Sequence, residues 1–221
     1  MININFPVLD EPIVIDGATY LVVEDQSLFA HLTKLFYQYD GTSELRLFYK
    51  DYKGMKTNEI SVISDIFGFD VNQASVLKLI YSDIENQLND QPEIKTKIEQ
   101  LANTITTLIG HEILNHDLDL EYDEITILEL LKSLGVKVET ASDTIYEKMI
   151  EILQIFKYLP KKNLLVFINV TSYFNEIELK EITEFVSLLN MDVLFLETTQ
   201  KTYLNQYVVD TDFYVYQSNM V

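Results

Sequence analysis

Short apolar strands alternate with helices at both ends of this chain, and between them the pattern is helical almost without interruption from Asn72 to Leu159. A strand-then-helix repeat predicts a sheet covered by helices, and a helical run of that length cannot be one connection within it. Near the start, "ATYLVVED" reads as a buried strand ending at Glu24 and Asp25, and "QSLFAHLTKLFYQY" follows with apolar residues at helical spacing. "SELRLFYKDY" reads as another strand, ahead of the loop "KDYKGMK" and the segment "EISVISDIFGF". After Pro160, "KNLLVFINV", "MDVLFLET" and "DFYVYQ" read as strands, and Asn175 with Glu178 caps the helix "EIELKEITEFVSLL". Short apolar strands joined by helices predict an open, mainly parallel sheet. The expected organisation is an α/β head from residues 1–70 and 160–221, with residues 71–159 inserted as an α-helical domain.

Inside the insertion, "QASVLKLIYSDIENQL" carries a regular apolar stripe, and Pro92 suits the first turn of a long helix running through "EIKTKIEQLANTITTLIGHEILNH". A third helix, "EITILELLKSL", is stopped by Gly135 where a left-handed cap belongs. A fourth starts near Thr144, with Glu147 completing a capping box, and ends before Pro160.

The chain holds 35 acids against 16 bases, a formal net charge of -19, so self-repulsion must be relieved by spreading, pairing or bound cations. Taken alone, that balance argues against a nucleic-acid partner. The absence of cysteine excludes disulfides, thiol nucleophiles and thiolate zinc sites. The amino terminus has no basic region followed by a long apolar run, and the wholly apolar runs are too short to span a bilayer, so a soluble cytoplasmic protein with no membrane partner is expected.

The turn after the first helix-linked strand, "VVEDQSLFAHL", has neither the glycines nor the lysine of a phosphate-binding loop, and two carboxylates stand where a triphosphate would lie. No bound nucleotide is expected. In "HEILNH", His111 and His116 are five residues apart, which places them roughly 140° apart on a helix, too far round to chelate one ion. His31 stands isolated on an apolar helix face and reads as structural.

The segment "DLDLEYDE" holds Asp117, Asp119, Glu121, Asp123 and Glu124. So many hard oxygen donors suit calcium, although the spacing is not that of an EF-hand loop. The same residues also read as a solvated acidic turn with Asp123 capping the helix that follows. Bases are few but grouped. Arg46, Lys50, Lys53 and Lys56 are interleaved with Phe48, Tyr49 and Tyr52; Lys132 and Lys137 flank Gly135; Lys157, Lys161 and Lys162 flank Pro160. Such clusters make either a positive stripe with aromatic contacts or an ordinary solvated surface.

From "LDEPI", through "ISDIFGFDVNQASVLKLIYSDIE", to "LDLEYDEITILELLKSLGVKVETASDTIYEKMIEILQIFKYLPKKNLLVFINV" and the terminal "NMV", the chain resembles the small accessory protein of type II-A CRISPR systems, the Csn-two family. The resemblance implies a head similar to P-loop ATPases with a degenerate phosphate loop, plus an inserted helical leg. It implies a homotetrameric ring that binds the ends of double-stranded DNA without sequence preference. The duplex would thread a lysine-lined hole, calcium would hold the ring together, and no catalytic residue is assigned.

Calcium ligands are then expected from Glu121, Asp123 and Glu124, with Asp119, Glu129 and Glu139 as further contributors. The DNA-facing lysines are expected to be Lys132, Lys137, Lys161 and Lys162, joined by Lys50, Lys53 and Lys56 of "KDYKGMK". A ring repeats each lysine around a narrow hole, which reconciles an acidic chain with DNA. The implied function is antiviral defence through spacer acquisition, beside the CRISPR integrase proteins and the effector nuclease. Two other readings use the same residues: a metal-dependent nuclease built on the acidic cluster, and a protein-interaction scaffold.

Overall fold

The computed structural model describes residues 1–140, 142–159 and 163–218. They form two compact units, one from Met1–Phe69 and Ala141–Val221, the other from Asp70–Thr140. The first is a mixed α/β structure. Its larger sheet contains β3 (Ala18–Val23), β5 (Ile60–Ile63), β6 (Leu164–Ile168), β7 (Asp192–Glu197), β8 (Gln206–Val209) and β9 (Val215–Ser218). The strand order is β5-β6-β7-β3-β8-β9, parallel throughout except for the β8–β9 hairpin.

Burial explains the sequence pattern of these strands. Every residue of "LLVFI" in β6 is buried, and so is nearly all of β3 and β7, because both faces are covered and alternation has no polar side to serve. Tyr20, Phe195 and Phe167 stack across β3, β7 and β6 with centroids 4.7 and 5.4 Å apart. Burial pushes the Tyr20 hydroxyl up to about 12, and that hydroxyl shares a 2.8 Å hydrogen bond with Thr183 Oγ1.

The helices of this unit are α1 (Gln26–Tyr37), α5 (Ile145–Lys157) and α6 (Glu176–Leu189). The expected capping boxes form: Thr144 Oγ1 accepts Glu147 N–H at 3.2 Å, and Asn175 Oδ1 accepts Glu178 N–H at 3.0 Å. His31 differs from its sequence reading, because it lies exposed on α1 with Nε2 against Glu44 Oε1.

Three short strands form a second, antiparallel sheet ordered β2-β1-β4: β1 (Ile2–Asn5), β2 (Ile13–Ile15) and β4 (Arg46–Tyr49). "SELRLFYKDY" therefore supplies a strand of this small sheet. Ile2, Ile4, Ile13, Ile15 and Leu47 pack into the same core as Leu21, Leu32 and Leu194. The helix α5, which the sequence reading places in the insertion, belongs to the first unit. Its Met149, Ile152, Leu153 and Phe156 are buried, and it packs against α6.

The second unit is helical: α2 (Ala74–Asn89), α3 (Pro92–Ile113) and α4 (Ile127–Ser133). Pro92 opens α3, as expected, and α3 ends at Ile113, short of the predicted His116. Val76, Tyr81, Ala102, Gly110 and Ile127 are its buried helical residues, a sparse core. Among the described residues no helix is long and apolar enough to cross a membrane.

Candidate nucleic-acid interface

Where a phosphate loop would lie, between β3 and α1, the chain places its own carboxylate. Asp25 Oδ1 accepts the Leu28 N–H at 2.7 Å, so a backbone donor that an anion would use is already bonded to a negative group. Beside it Glu24 Oε1 accepts Gln200 Nε2 at 2.8 Å. At the end of β7, Glu197 is only 3% exposed, and its Oε1 accepts the N–H groups of Val170 and Thr171 at 3.0 and 3.1 Å. Burial pushes the Glu197 carboxyl above its usual range, against the pull of those hydrogen bonds. Carboxylates thus take up three backbone N–H groups at this end of the sheet. Glu24 and Asp25 are legible in sequence, whereas Glu197 carries no local signal, since an acid ending an apolar strand looks solvated.

The loop after β4 is a compact lysine-bearing turn. Tyr52 takes a positive φ of 62°, Tyr49 N–H bonds Lys53 O at 2.9 Å, and Met55 N–H bonds Leu47 O at 2.8 Å. Met55 is buried, so the loop is anchored on both sides while its tip faces outward. Lys50, Lys53 and Lys56 are exposed, and Tyr52, stacked on Phe48 with centroids 6.0 Å apart, is 86% exposed. A fixed turn that displays three cations around an accessible ring suits a phosphate backbone.

In the helical unit, Lys132 and Lys137 are exposed on either side of Gly135, whose φ of 66° closes α4 in the expected left-handed turn. Gly135 N–H bonds Lys132 O at 3.0 Å and Val136 N–H bonds Leu131 O at 3.1 Å, the paired bonds of a Schellman motif. The chain beyond is fastened to α2 and to the segment before it: Tyr81 Oη of α2 donates to Val136 O at 2.7 Å, and Asn72 exchanges bonds of 3.0 and 2.8 Å with Val138. Lys137 and Glu139 sit on this strap. None of Lys50, Lys53, Lys56, Lys132 and Lys137 forms an ion pair among the described residues. Lys161 and Lys162 lie outside the described residues.

Between α3 and α4 the acidic segment is irregular, and Asp119, Glu121, Asp123 and Glu124 are exposed. It is held by Tyr122, whose hydroxyl would lie 2.4 Å from a Cβ at Gly110 of α3. Only a glycine permits so close an approach. The helix that follows is capped by Thr126 rather than Asp123, because α4 begins three residues further on, at Ile127. Thr126 N–H and Oγ1 bond Glu129 Oε2 at 2.8 and 2.7 Å, and Glu129 N–H returns to Thr126 Oγ1 at 3.2 Å. Those bonds, the Thr126 backbone first, hold the Glu129 carboxyl below its usual range and occupy one of its oxygens. Among the described residues no three acidic or histidine side chains are gathered so as to hold a metal ion. These exposed carboxylate oxygens are of the kind that calcium takes.

A family described as CRISPR-associated protein (Cas_Csn2) matches residues 38–213. The protein "CRISPR-associated protein Csn2" of Streptococcus agalactiae is 52% identical over 221 residues, spanning 100% of both chains. Its namesake in Enterococcus faecalis is 53% identical over 213 residues, covering 96% of this chain and 97% of the relative. Among solved structures, Stu0660 of Streptococcus thermophilus matches with a TM-score of 0.61 at 14% identity, over 99% of this chain and 76% of that one. That last likeness is one of fold.

Proposed function

The chain belongs to the Csn2 family of CRISPR-associated proteins, and from that premise we propose that it serves CRISPR adaptation as a calcium-dependent ring of four copies that binds double-stranded DNA ends without sequence preference. The proposal contains no catalytic step. The DNA contacts are assigned to Lys50, Lys53, Lys56, Lys132 and Lys137, together with Lys161 and Lys162. The observation that carries it is the display of unpaired, exposed lysines on two anchored turns, one of them beside the exposed Tyr52 ring. Lysines on a net charge of -19 would ordinarily find acidic partners; among the described residues these form no ion pair, and only Lys132 acts on a nearby carboxylate, that of Glu129.

Assembly is supported by the helical unit. Leu101, Ile105, Leu108 and Ile109 along α3, with Leu118 and Leu120 after it, are all exposed. An apolar surface of this extent marks a face that is covered in use, and further copies of the chain are the proposed cover. Calcium in this reading is a structural ion. Glu121, Asp123 and Glu124 would hold it, helped by Asp119, Glu139 and the free oxygen of Glu129. The six to eight oxygens that calcium takes would be completed from beyond one chain. The head is proposed to be a P-loop-like scaffold whose phosphate loop is degenerate, in keeping with Asp25 occupying the anion position.

A gel shift tests the proposal. Linear duplex should shift in calcium and not in chelator, closed circular duplex should not shift, and affinity should fall steeply with salt. Equal shifts of linear and circular DNA, or binding indifferent to salt, would overturn the threaded ring. Cleavage of linear duplex in magnesium that is abolished in Glu121→Ala would favour a nuclease instead.

A further inference from the structure

The edges of the two sheets in the first unit frame one open groove. β2 is an edge strand of the small sheet and β9 is an edge strand of the large one. Between them lie two adjoining hollows of about 440 and 360 Å³ that share Tyr207 and Gln217. Apolar groups lie at its base, where Leu9 and Ile13 are buried and Tyr207 and Val215 pack against the core. At one end Phe213 and Tyr214 are 50% and 67% exposed.

The outer edge of β9, which borders the groove through Val215 and Gln217, carries no further strand of the sheet. Asp210 N–H bonds Tyr214 O at 3.1 Å, so in the alternating antiparallel ladder the bonded pairs are Val208 with Tyr216 and Gln206 with Ser218. Val215 and Gln217 therefore turn their N–H and C=O groups away from β8. No hydrogen bond to either N–H is formed among the described residues. A sheet edge left open is a template for another strand, and this one has no lysine or proline to blunt it.

Charge selects the occupant. Asp10, Glu11 and Asp16 line the groove and are exposed, as is Asp212 next to the lining residue Phe213; none forms an ion pair among the described residues, and no lysine or arginine lines either hollow. A second copy of a chain with net charge -19 would meet repulsion here. We propose that the groove receives an extended, basic peptide segment of a partner protein, added as a strand to β9 with its apolar side chains on the Tyr207 floor and its cations against the acidic rim. None of Lys50, Lys53 and Lys56 lines either hollow, and the site does not depend on the role proposed for them.

Fluorescence anisotropy decides it with two labelled peptides of alternating lysine and valine, one ordinary and one N-methylated at alternate peptide bonds. Both carry the same charge, but only the first can form a ladder. The ordinary peptide should bind the full-length protein roughly tenfold more tightly than the methylated one. Gln217→Pro should bring the two to equal, weak binding without lowering the unfolding temperature, because that N–H forms no hydrogen bond among the described residues. Asp10→Asn combined with Asp212→Asn should weaken binding of the ordinary peptide and leave the melting temperature unchanged. Equal binding of both peptides by the unmodified protein would overturn strand addition, leaving only attraction between opposite charges. Failure of the ordinary peptide to bind, or displacement of it by self-association of the protein, would also overturn it. If Gln217→Pro fails to fold, the two-peptide comparison on the unmodified protein still decides.

Discussion

An alanine at Gly110 sets two effects against each other. Inside α3 it should stabilise the helix by about 1 kcal/mol, because glycine is a poor helix former. Its Cβ, however, would meet the Tyr122 hydroxyl at 2.4 Å and Cζ at 2.6 Å. Tyr122 is 52% exposed and can swing outward, so helix propensity should win globally while the acidic segment gives up its anchor. Gly110→Ala is thus expected to keep or slightly raise the melting temperature and yet to speed proteolysis within residues 114–125; unchanged protection there would show that Tyr122 does not pin the segment. Glu197 behaves oppositely, as a buried group whose strain depends on pH. Its carboxyl is raised in the folded state, so the proton is bound more tightly folded than unfolded. The sign follows: its contribution to stability is fully present below the ordinary carboxylate range and is lost as pH rises through the raised value. Glu197→Gln keeps an oxygen for the Val170 and Thr171 N–H groups and removes the charge. The variant should match the unmodified protein near pH 4 and exceed it in denaturant midpoint near pH 7. A gap that is largest in acid would refute this account. Neither residue is legible in sequence as anything special, because what matters at each is a neighbour far along the chain.

Elements are legible where their signals are local. The Thr144 and Asn175 boxes, the Pro92 start and the Gly135 stop each depend on residues within one turn, and each forms in the structure. The small antiparallel sheet has no such signal, since β1, β2 and β4 have four, three and four residues and draw their stability from a core assembled across the chain. The partner of α5 is hidden for the same reason: an amphipathic stripe says that a face is buried but not against what. The cap of α4 falls on Thr126 instead of Asp123 because neighbouring acids and hydroxyls all read as caps. That cap has a measurable consequence. With only seven residues, α4 has little propensity to form alone, so Thr126→Ala should cost about 1 kcal/mol, seen as faster amide exchange across Ile127–Ser133. Glu129, held below its usual range by the same box, stabilises the helix above the ordinary carboxylate range and ceases to do so as pH falls. Exchange in α4 should therefore quicken in acid beyond the intrinsic pH trend in the unmodified protein, and less so in Glu129→Gln. Equal acid responses would remove the carboxylate from the explanation.

At the scale of the whole molecule, salt should act on assembly and on DNA binding with opposite signs. The proposed contact between copies joins apolar residues of α3 under a net charge of -19 per chain, so repulsion opposes it and screening favours it. Calcium on the acidic segment would supply the same relief locally. The proposed DNA contact runs the other way, because each lysine–phosphate pairing would release counterions and weaken as salt rises. Light scattering in chelator should therefore show larger assemblies at high sodium chloride than at low, while calcium should make assembly nearly indifferent to salt. Under the calcium condition, duplex affinity should still fall steeply. Lys132→Ala or Lys137→Ala should lower the slope of log affinity against log salt by about one for each phosphate that the side chain no longer neutralises, multiplied by the copies that face the duplex. The slope separates roles that a single affinity would merge. A lysine that supports only assembly would change the scattering and leave the slope alone, whereas one that meets DNA would change the slope and leave the scattering alone. If salt dispersed the chelated protein instead, association would be held by ion pairs rather than by the apolar face of α3, and the acidic segment would have to be placed within the contact itself.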